Sequence, residues 1–328
     1  MERRVSVTVE RFPLAAQFTI ARGSKTEAAV VVCRIEERNR EGRGECVPYA
    51  RYGESVESVV AALEALRPAL EAGLDRTALQ TALPAGAARN AVDCALWDLE
   101  TKRAGRPAAD LAGLGALHPV TTAFTISLGT PAEMAEATRA ASGRSVLKVK
   151  VGRGAEDVAR MRAVREAAPD ARLIIDANEG WNEDTIRENM LAAAACGAWV
   201  VEQPLPAGQD AILARMPRPV PVCADESVHG ADDLGALVGR YDYVNLKLDK
   251  TGGLTEGLRF LAQARTHGFG VMVGCMVGTS LAMAPALLLA QGAEIVDLDG
   301  PQLLRNDRPD GLVYEGSLVA PPTSALWG

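Results

Sequence analysis

Residues 172–204 read RLIIDANEGWNEDTIRENMLAAAACGAWVVEQP. Two short aliphatic and β-branched runs, LIIDA and WVVE, flank an Ala-, Leu-, Glu- and Arg-bearing segment of helical period, which predicts strand, helix, strand. Both runs stay apolar up to an acidic residue, Asp176 or Glu202. Near-continuous apolar strands belong to a parallel sheet covered on both faces. The pattern continues outward in both directions, with TTAFTISL and VLKVKV before it and VPVCAD, YVNLKL, GVMVGC and AEIVDLD after it. Lys150, Asp176, Glu202, Asp225 and Lys247 follow one another at intervals of 26, 26, 23 and 22 residues. One strand, one helix and two loops need about that many. Eight strands between about residues 118 and 300 predict a TIM-type (β/α)8 barrel in its (β/α)7β form, with chemistry at the carboxyl ends of the strands.

The chain of 328 residues exceeds the needs of one barrel, so a second domain is expected. Residues 1–117 run from strands (VSVTVERF, AAVVVCRIE) into helices (SVESVVAALEALRPALEAG, ARNAVDCALWDLETKRAG), an α+β capping domain. The barrel spans 118–300, and the Pro- and Gly-rich tail, 301–328, is expected to pack back on the cap. A net charge of −7 without a basic block argues against nucleic acid as partner. No run of 18 apolar residues occurs, and MERRVSVTVE lacks the apolar core of a signal peptide, so no membrane role and a soluble, cytoplasmic protein are expected. Six cysteines without CxxC spacing predict buried free thiols.

Three carboxylates at neighbouring strand ends, Asp176, Glu202 and Asp225, repel one another unless a cation lies between them. Oxygen donors without a Cys or His cluster favour Mg²⁺, one per site, with Mn²⁺ as a substitute. In LKVK, Lys148 and Lys150 share one face of a strand. Their mutual repulsion, with a cation nearby, disfavours full protonation and suits Lys150 to act as a base. Lys247 lies four strands further on, across the ring. Two lysines on opposite faces of one acidic carbon are what a racemase or epimerase needs.

With these motifs in place (K-x-K at 148–150, D-A-N at 176–178, E-Q-P at 202–204, A-D-E-S at 224–227 and N-L-K at 245–247 with the T-G-G that follows at 251–253) the chain resembles the enolase superfamily, in its muconate-lactonising-enzyme-like branch. The resemblance implies abstraction of a proton α to a carboxylate. It also implies Asp176, Glu202 and Asp225 as metal ligands, Lys150 and Lys247 as bases and Lys148 beside them. The D-L-D of Asp297 and Asp299 resembles the dipeptide epimerases, where such a pair binds the substrate's free ammonium group. FTIARGSKTEA, CVPYARYGES, LPAGAARNAVDCALWDLE and LDKTGGLTE are similar to the bacterial L-Ala-D/L-Glu epimerases. The expectation is therefore Mg²⁺-dependent epimerisation of a dipeptide's C-terminal residue, with a role in murein peptide recycling and assembly into a homo-oligomer.

The family positions place Thr125, Cys275 and Val277 along the substrate, and Asn178 and Asp249 as supports behind the ligands. On the cap, Arg22 is expected to pair with a glutamate side chain. Tyr49, Arg51 and Tyr52 belong to a second loop able to close over the barrel. None of His118, His229 and His267 ends a strand, which disfavours a His-based mandelate-racemase or sugar-acid dehydratase chemistry. o-Succinylbenzoate synthase and N-acylamino-acid racemase share the lysines and the acids, and cycloisomerases are related; the Asp297/Asp299 pair counts against them. A pyridoxal-phosphate racemase has no use for three carboxylates around a metal. A non-catalytic ligand-binding relative has no use for two opposed lysines.

Overall fold

The computed structural model describes residues 3–328. The chain opens with an antiparallel sheet of β1 (Arg3–Ile20), β2 (Gly23–Glu37) and β3 (Arg40–Cys46). Helices α1 (Val56–Glu71), α2 (Arg76–Ala82), α3 (Ala87–Ala104) and the single turn α4 (Ala108–Leu111) complete this part. Ser55 starts α1 with a capping box, and Asp75 caps α2 by accepting the Ala78 N–H. Helix α3 is buried along most of its length, because the cap sheet covers one side and the barrel the other. Glycine makes the close approach to the sheet possible. A Cβ at Gly42 or Gly44 would lie 2.1 Å from the carbonyl oxygen of Ala95 or Ala91 on α3.

After β4 (Val120–Thr121) come the eight strands of one parallel sheet: β5 (Phe124–Ile126), β6 (Val146–Lys150), β7 (Arg172–Asp176), β8 (Ala198–Glu202), β9 (Val222–Ala224), β10 (Tyr243–Leu246), β11 (Gly270–Gly274) and β12 (Ile295–Asp297). They lie in chain order, and the seam between first and last is bridged by Ala123 N–H to Val296 O and Leu298 N–H to Thr122 Oγ1, each 2.8 Å. The expected barrel is therefore present, with each anticipated run in its strand.

The helical layer is less regular than the spacing suggests. Helices α5 (Pro131–Ala140), α6 (Asp157–Ala167) and α7 (Ile186–Ala195) follow the first three barrel strands. Between β8 and β9 there is only a 3₁₀ turn, Ala211–Ala214, where a helix was expected. Prolines 204, 206, 217, 219 and 221 remove backbone donors on both sides of this turn and confine any helix to the ten residues between Pro206 and Pro217. A single turn, α8 (Leu234–Leu237), precedes β10; α9 (Leu248–Thr251) and α10 (Leu254–Thr266) follow it, and α11 (Ser280–Ala290) lies between β11 and β12. The tail touches both parts of the molecule. Its strands β13 (Tyr314–Glu315) and β14 (Leu318–Val319) form a hairpin whose β14 pairs with β4, whereas the Trp327 indole N–H donates to Cys94 O on α3 at 3.1 Å.

Period-two alternation places the site. Leu147, Val149, Leu173, Ile175, Val201, Val222, Ala224, Val244 and Leu246 face the core that includes the outer helices. The residues between them point inward. At the amino-terminal end these are apolar (Val146, Ile174, Val200, Cys223, Met272, Ile295) and form a closed plug. One step further along the same strands, the inward positions become Lys148, Asp176, Glu202, Asp225, Asn245 and Asp297. The polar centre thus rests on an apolar floor that excludes water from below.

Candidate active site

The register of the parallel sheet pairs Lys150 with Asp176 and Asp176 with Glu202, so the charged strand ends sit at one level. Lys148, 2 % exposed, sends its Nζ between three carboxylates: Asp297 at 2.7 Å, Glu202 at 2.8 Å and Asp176 at 3.2 Å. Lys150 Nζ lies 2.6 Å from Asp176 Oδ2, and on the other side of the ring Lys247 Nζ lies 2.7 Å from Asp225 Oδ2. The two lysines expected to act as bases therefore bracket the acidic cluster. Lys250, in the D-K-T-G-G segment, was not singled out from sequence. It is buried and donates to Asp225 Oδ1 (2.7 Å), Asp225 O (2.6 Å) and Asn245 O (3.0 Å). Asn245 in turn donates to Glu202 Oε1 at 2.9 Å.

Burial opposes ionisation throughout this cluster, and neighbouring charges decide the outcome. Asp225 is held well below the usual carboxylate range because Lys247 and Lys250 outweigh its burial, and Asp176 is held down by Lys150 and Lys148 in the same way. Glu202 is pushed up by burial and by Asp176. Burial works against the Lys148 and Lys247 ammonium groups, yet Asp297 and Asp225 respectively raise them well above the usual lysine value. A lysine so paired is an acid. Acting as a base requires that the carboxylate beside it be engaged by another positive charge.

Asp176, Glu202 and Asp225 fit a hard divalent cation. The donors are all carboxylate oxygens, and Glu202 Oε2 is buried without a hydrogen bond despite its ion pair with Lys148. Among the described residues no three acidic, His or Cys side chains converge closely enough to hold an ion as they stand. The interposed ammonium groups account for this spacing.

Asp297 and Asp299 lie at and just beyond the end of β12, both buried. Asp297 Oδ2 accepts from Lys148, while Asp297 Oδ1 is buried without a partner. Asp299 Oδ2 accepts the Thr125 backbone N–H at 2.7 Å, and burial together with Asp297 pushes its carboxyl up. Two adjacent carboxylates with an unused acceptor form a receptor for a cation.

The cap closes the mouth. Arg22, at the tip of the β1–β2 hairpin, donates to Asn178 O (2.8 Å), Glu179 Oε2 (3.1 Å) and Tyr49 Oη (3.1 Å) and pairs with Glu226 Oε1 at 2.6 Å. Arg51 grips Glu179 with two bonds of 2.7 Å. Asn178 and Glu179 have φ of 44° and 68°, a left-handed step that turns Glu179 toward both arginines. Tyr52 packs edge-on against His229 with ring centroids 4.9 Å apart. The two anticipated cap loops thus meet on the ends of β7 and β9, with Glu179 and Glu226 as anchors that sequence reasoning missed, although both stand inside its quoted motifs or beside them. A cavity of about 490 Å³ remains between cap and barrel, lined by residues that include Lys150, Lys247, Cys275 and Val277. All six cysteines are free, and Cys275 alone is not fully buried.

Asn178 donates its backbone N–H to Asp176 Oδ1 at 2.9 Å. Asp249 instead faces the cap, accepting from Val47 N–H (3.0 Å) and Asn90 Nδ2 (2.9 Å). Burial pushes its carboxyl up to about 7. An acid whose pKa is raised in the fold binds more protons there than when unfolded, so its contribution is fully present below about pH 4 and is lost as pH rises toward 7. Asp249→Asn is expected to abolish this part of the slope and to raise stability at pH 8 by on the order of 3 kcal/mol. Urea unfolding of both proteins at pH 5 and pH 8 checks it; the same difference at both pH values would contradict it.

Comparison with known proteins agrees with this architecture. Residues 2–113 match the mandelate racemase / muconate lactonizing enzyme N-terminal domain, and residues 131–324 match the enolase C-terminal domain-like family. The chain is 49 % identical over 314 residues to the L-Ala-D/L-Glu epimerase of Escherichia coli K12, covering 95 % of this chain and 98 % of that one. It is 44 % identical to an N-acetyl-D-glutamate racemase from a Pseudoalteromonas species, covering 91 % and 95 %. An enolase family member from Agrobacterium tumefaciens with homology to dipeptide epimerases, solved with sodium and L-Ala-L-Glu and with an ordered loop, superposes with a TM-score of 0.98 at 56 % identity, covering 99 % and 100 %. A dipeptide epimerase from Enterococcus faecalis, complexed with Mg and L-Leu-L-Tyr, gives a TM-score of 0.91 at 30 % identity, covering 98 % and 97 %. With both halves of the chain matched and its polar centre at the strand ends, the protein belongs to the enolase superfamily, in the mandelate racemase and muconate lactonizing enzyme group.

Proposed function

We propose that the protein epimerises the C-terminal residue of dipeptides, interconverting L-Ala-D-Glu and L-Ala-L-Glu, with Mg²⁺ as its metal. The observation that carries this is the opposed pair Lys150 and Lys247 beside a second acidic pair, Asp297 and Asp299, with an unused oxygen. The relatives named for dipeptide epimerisation, and the one complexed with Mg, support it.

Asp176, Glu202 and Asp225 would hold the cation, which when bound supplies positive charge for the oxygens of the substrate carboxylate as the α-proton leaves. Lys150 removes the proton from one face, and Lys247 delivers a different proton to the other; the reverse direction exchanges their roles. Lys148, fixed by three carboxylates, keeps a positive charge in the floor of the site while negative charge grows on the substrate. Asp297 and Asp299 hold the ammonium of the first residue, with Thr125 fixing Asp299 through its backbone N–H. The Cys275–Val277 segment lines the substrate. The latch of Arg22, Arg51 and Glu179 holds the cap shut and keeps bulk water from the carbanionic carbon. Free cysteines suit a reducing cytoplasm, where cell-wall peptide recycling would supply such dipeptides.

The test is proton NMR in D₂O with Mg²⁺. L-Ala-L-Glu should acquire deuterium at the glutamate α-carbon and yield the L,D epimer, and EDTA should stop both. Exchange confined to N-acetyl-glutamate would favour the acylamino-acid racemase activity of the Pseudoalteromonas relative. No exchange in any dipeptide would overturn the proposal.

A further inference from the structure

We infer that Arg308, in the C-terminal tail, is a positioning residue for the substrate, because through Glu45 of the cap it fixes the Cys275–Val277 segment of the cavity wall; this rests on the dipeptide epimerase assignment above. Cys275, Met276 and Val277 follow the end of β11 and line the cavity that Lys150 and Lys247 also face. Two residues further on, Thr279 starts α11. Gly278, between them, is enclosed from two sides. A Cβ on it would lie 3.0 Å from Val47 Cγ2 and 3.1 Å from Glu45 Oε1, and a Cβ on Gly300, the residue after Asp299, would lie 3.1 Å from Gly278 O. The segment therefore has little slack, and whatever places Glu45 places it.

Glu45 lies near the buried end of β3 and is 1 % exposed. Its Oε1 accepts the Thr279 N–H at 2.8 Å, and its Oε2 accepts the Thr279 hydroxyl and two bonds from Arg308, from Nε at 3.0 Å and from Nη2 at 2.7 Å. Arg308 Nε also donates to Thr279 Oγ1 at 2.7 Å, so the guanidinium touches both sides of the contact. Its Nη1 lies 2.6 Å from Glu10 Oε2 on β1. The neighbouring Asp307 accepts the Ser280 N–H at 3.0 Å, so two consecutive tail residues hold the first turn of α11. A carboxylate buried this deeply needs a counter-charge, and burial pushes its carboxyl up while Arg308 opposes the push. Without Arg308, Glu45 takes up a proton or turns toward water, and either change rearranges its bonds to Thr279. The two opposed lysines depend on other partners, Asp176 and Asp225. A shift of the 275–277 segment should therefore weaken substrate binding more than proton transfer.

The experiment compares wild type with Arg308→Met, Arg308→Lys and Glu45→Gln in the presence of Mg²⁺. It reads kcat and KM for L-Ala-L-Glu and, without substrate, the rate at which iodoacetamide labels each cysteine, mapped by mass spectrometry. KM should rise about 10-fold in Arg308→Met, the range of a lost hydrogen bond, with kcat within a few-fold. Arg308→Lys should recover part of the loss, because it keeps the charge without the planar fork. Cys275 should label several-fold faster in Arg308→Met and Glu45→Gln, while the buried Cys33 and Cys94 keep their wild-type rates. If Arg308→Met does not fold, Arg308→Lys and Glu45→Gln give the same two readings. Unchanged KM and unchanged Cys275 labelling in folded variants would overturn the inference. A lower melting temperature with all cysteines labelled faster and KM unchanged would make Arg308 a general support of the fold and refute it equally. A wild type inactive on L-Ala-L-Glu would instead overturn the epimerase assignment, and Cys275 labelling would still decide whether Arg308 holds the segment.

Discussion

Lys247→Ala and Lys150→Ala should each lower epimerisation by at least about 10³-fold, within the range that a positioned acid or base contributes. The more telling result is the asymmetry left behind. Each lysine stands on its own side of the acidic cluster, Lys150 by Asp176 and Lys247 by Asp225. Each variant should therefore retain exchange of the α-proton with solvent deuterium for one epimer only, and the two variants should retain opposite epimers. Loss of the ion pair is less disruptive at Asp225, where Lys250 still donates twice, than at Asp176, where Lys148 at 3.2 Å is the remaining ammonium group. Circular dichroism and Mg²⁺ titration should accordingly show Lys247→Ala folded and metal-competent. Equal loss of exchange for both epimers in both variants, with fold and metal binding intact, would contradict the two-face arrangement.

The barrel was legible because its strands alternate outward aliphatics with inward residues that turn from apolar to charged along one direction, as Val146, Lys148 and Lys150 do on β6. That gradient is local, so a string of letters carries it. The missing helix between β8 and β9 was also local, and the five prolines around it were the signal that the spacing argument passed over. Arg22 is a different case. Its residue type and loop suggested a substrate contact, but Glu179 and Glu226 come from strand ends more than 150 residues away and consume its guanidinium. Nothing in the sequence near Arg22 announces partners at that distance.

Asp297→Asn should divide substrates by whether they carry a free ammonium group. In the native site Asp297 Oδ2 is spent on Lys148 and Oδ1 is buried without a partner, whereas Asp299 holds the Thr125 N–H and is pushed toward its neutral form by burial and by Asp297. Removing a buried charge from an ammonium site costs about 2–5 kcal/mol. That predicts a loss of at least about 30-fold in kcat/KM for L-Ala-L-Glu, with N-acetyl-glutamate changed only a few-fold. The loss has a ceiling set by the pair itself. Once residue 297 is neutral, the repulsion that adds to burial in pushing Asp299 toward its neutral form is gone, so Asp299 ionises more readily and restores negative charge. Asp297→Asn combined with Asp299→Asn should therefore cost more than the sum of the two single losses in free energy, and a double-mutant cycle on L-Ala-L-Glu measures the excess. A uniform loss across free dipeptides and N-acylated substrates would assign Asp297 to holding Lys148 in place, since that ion pair serves every substrate alike.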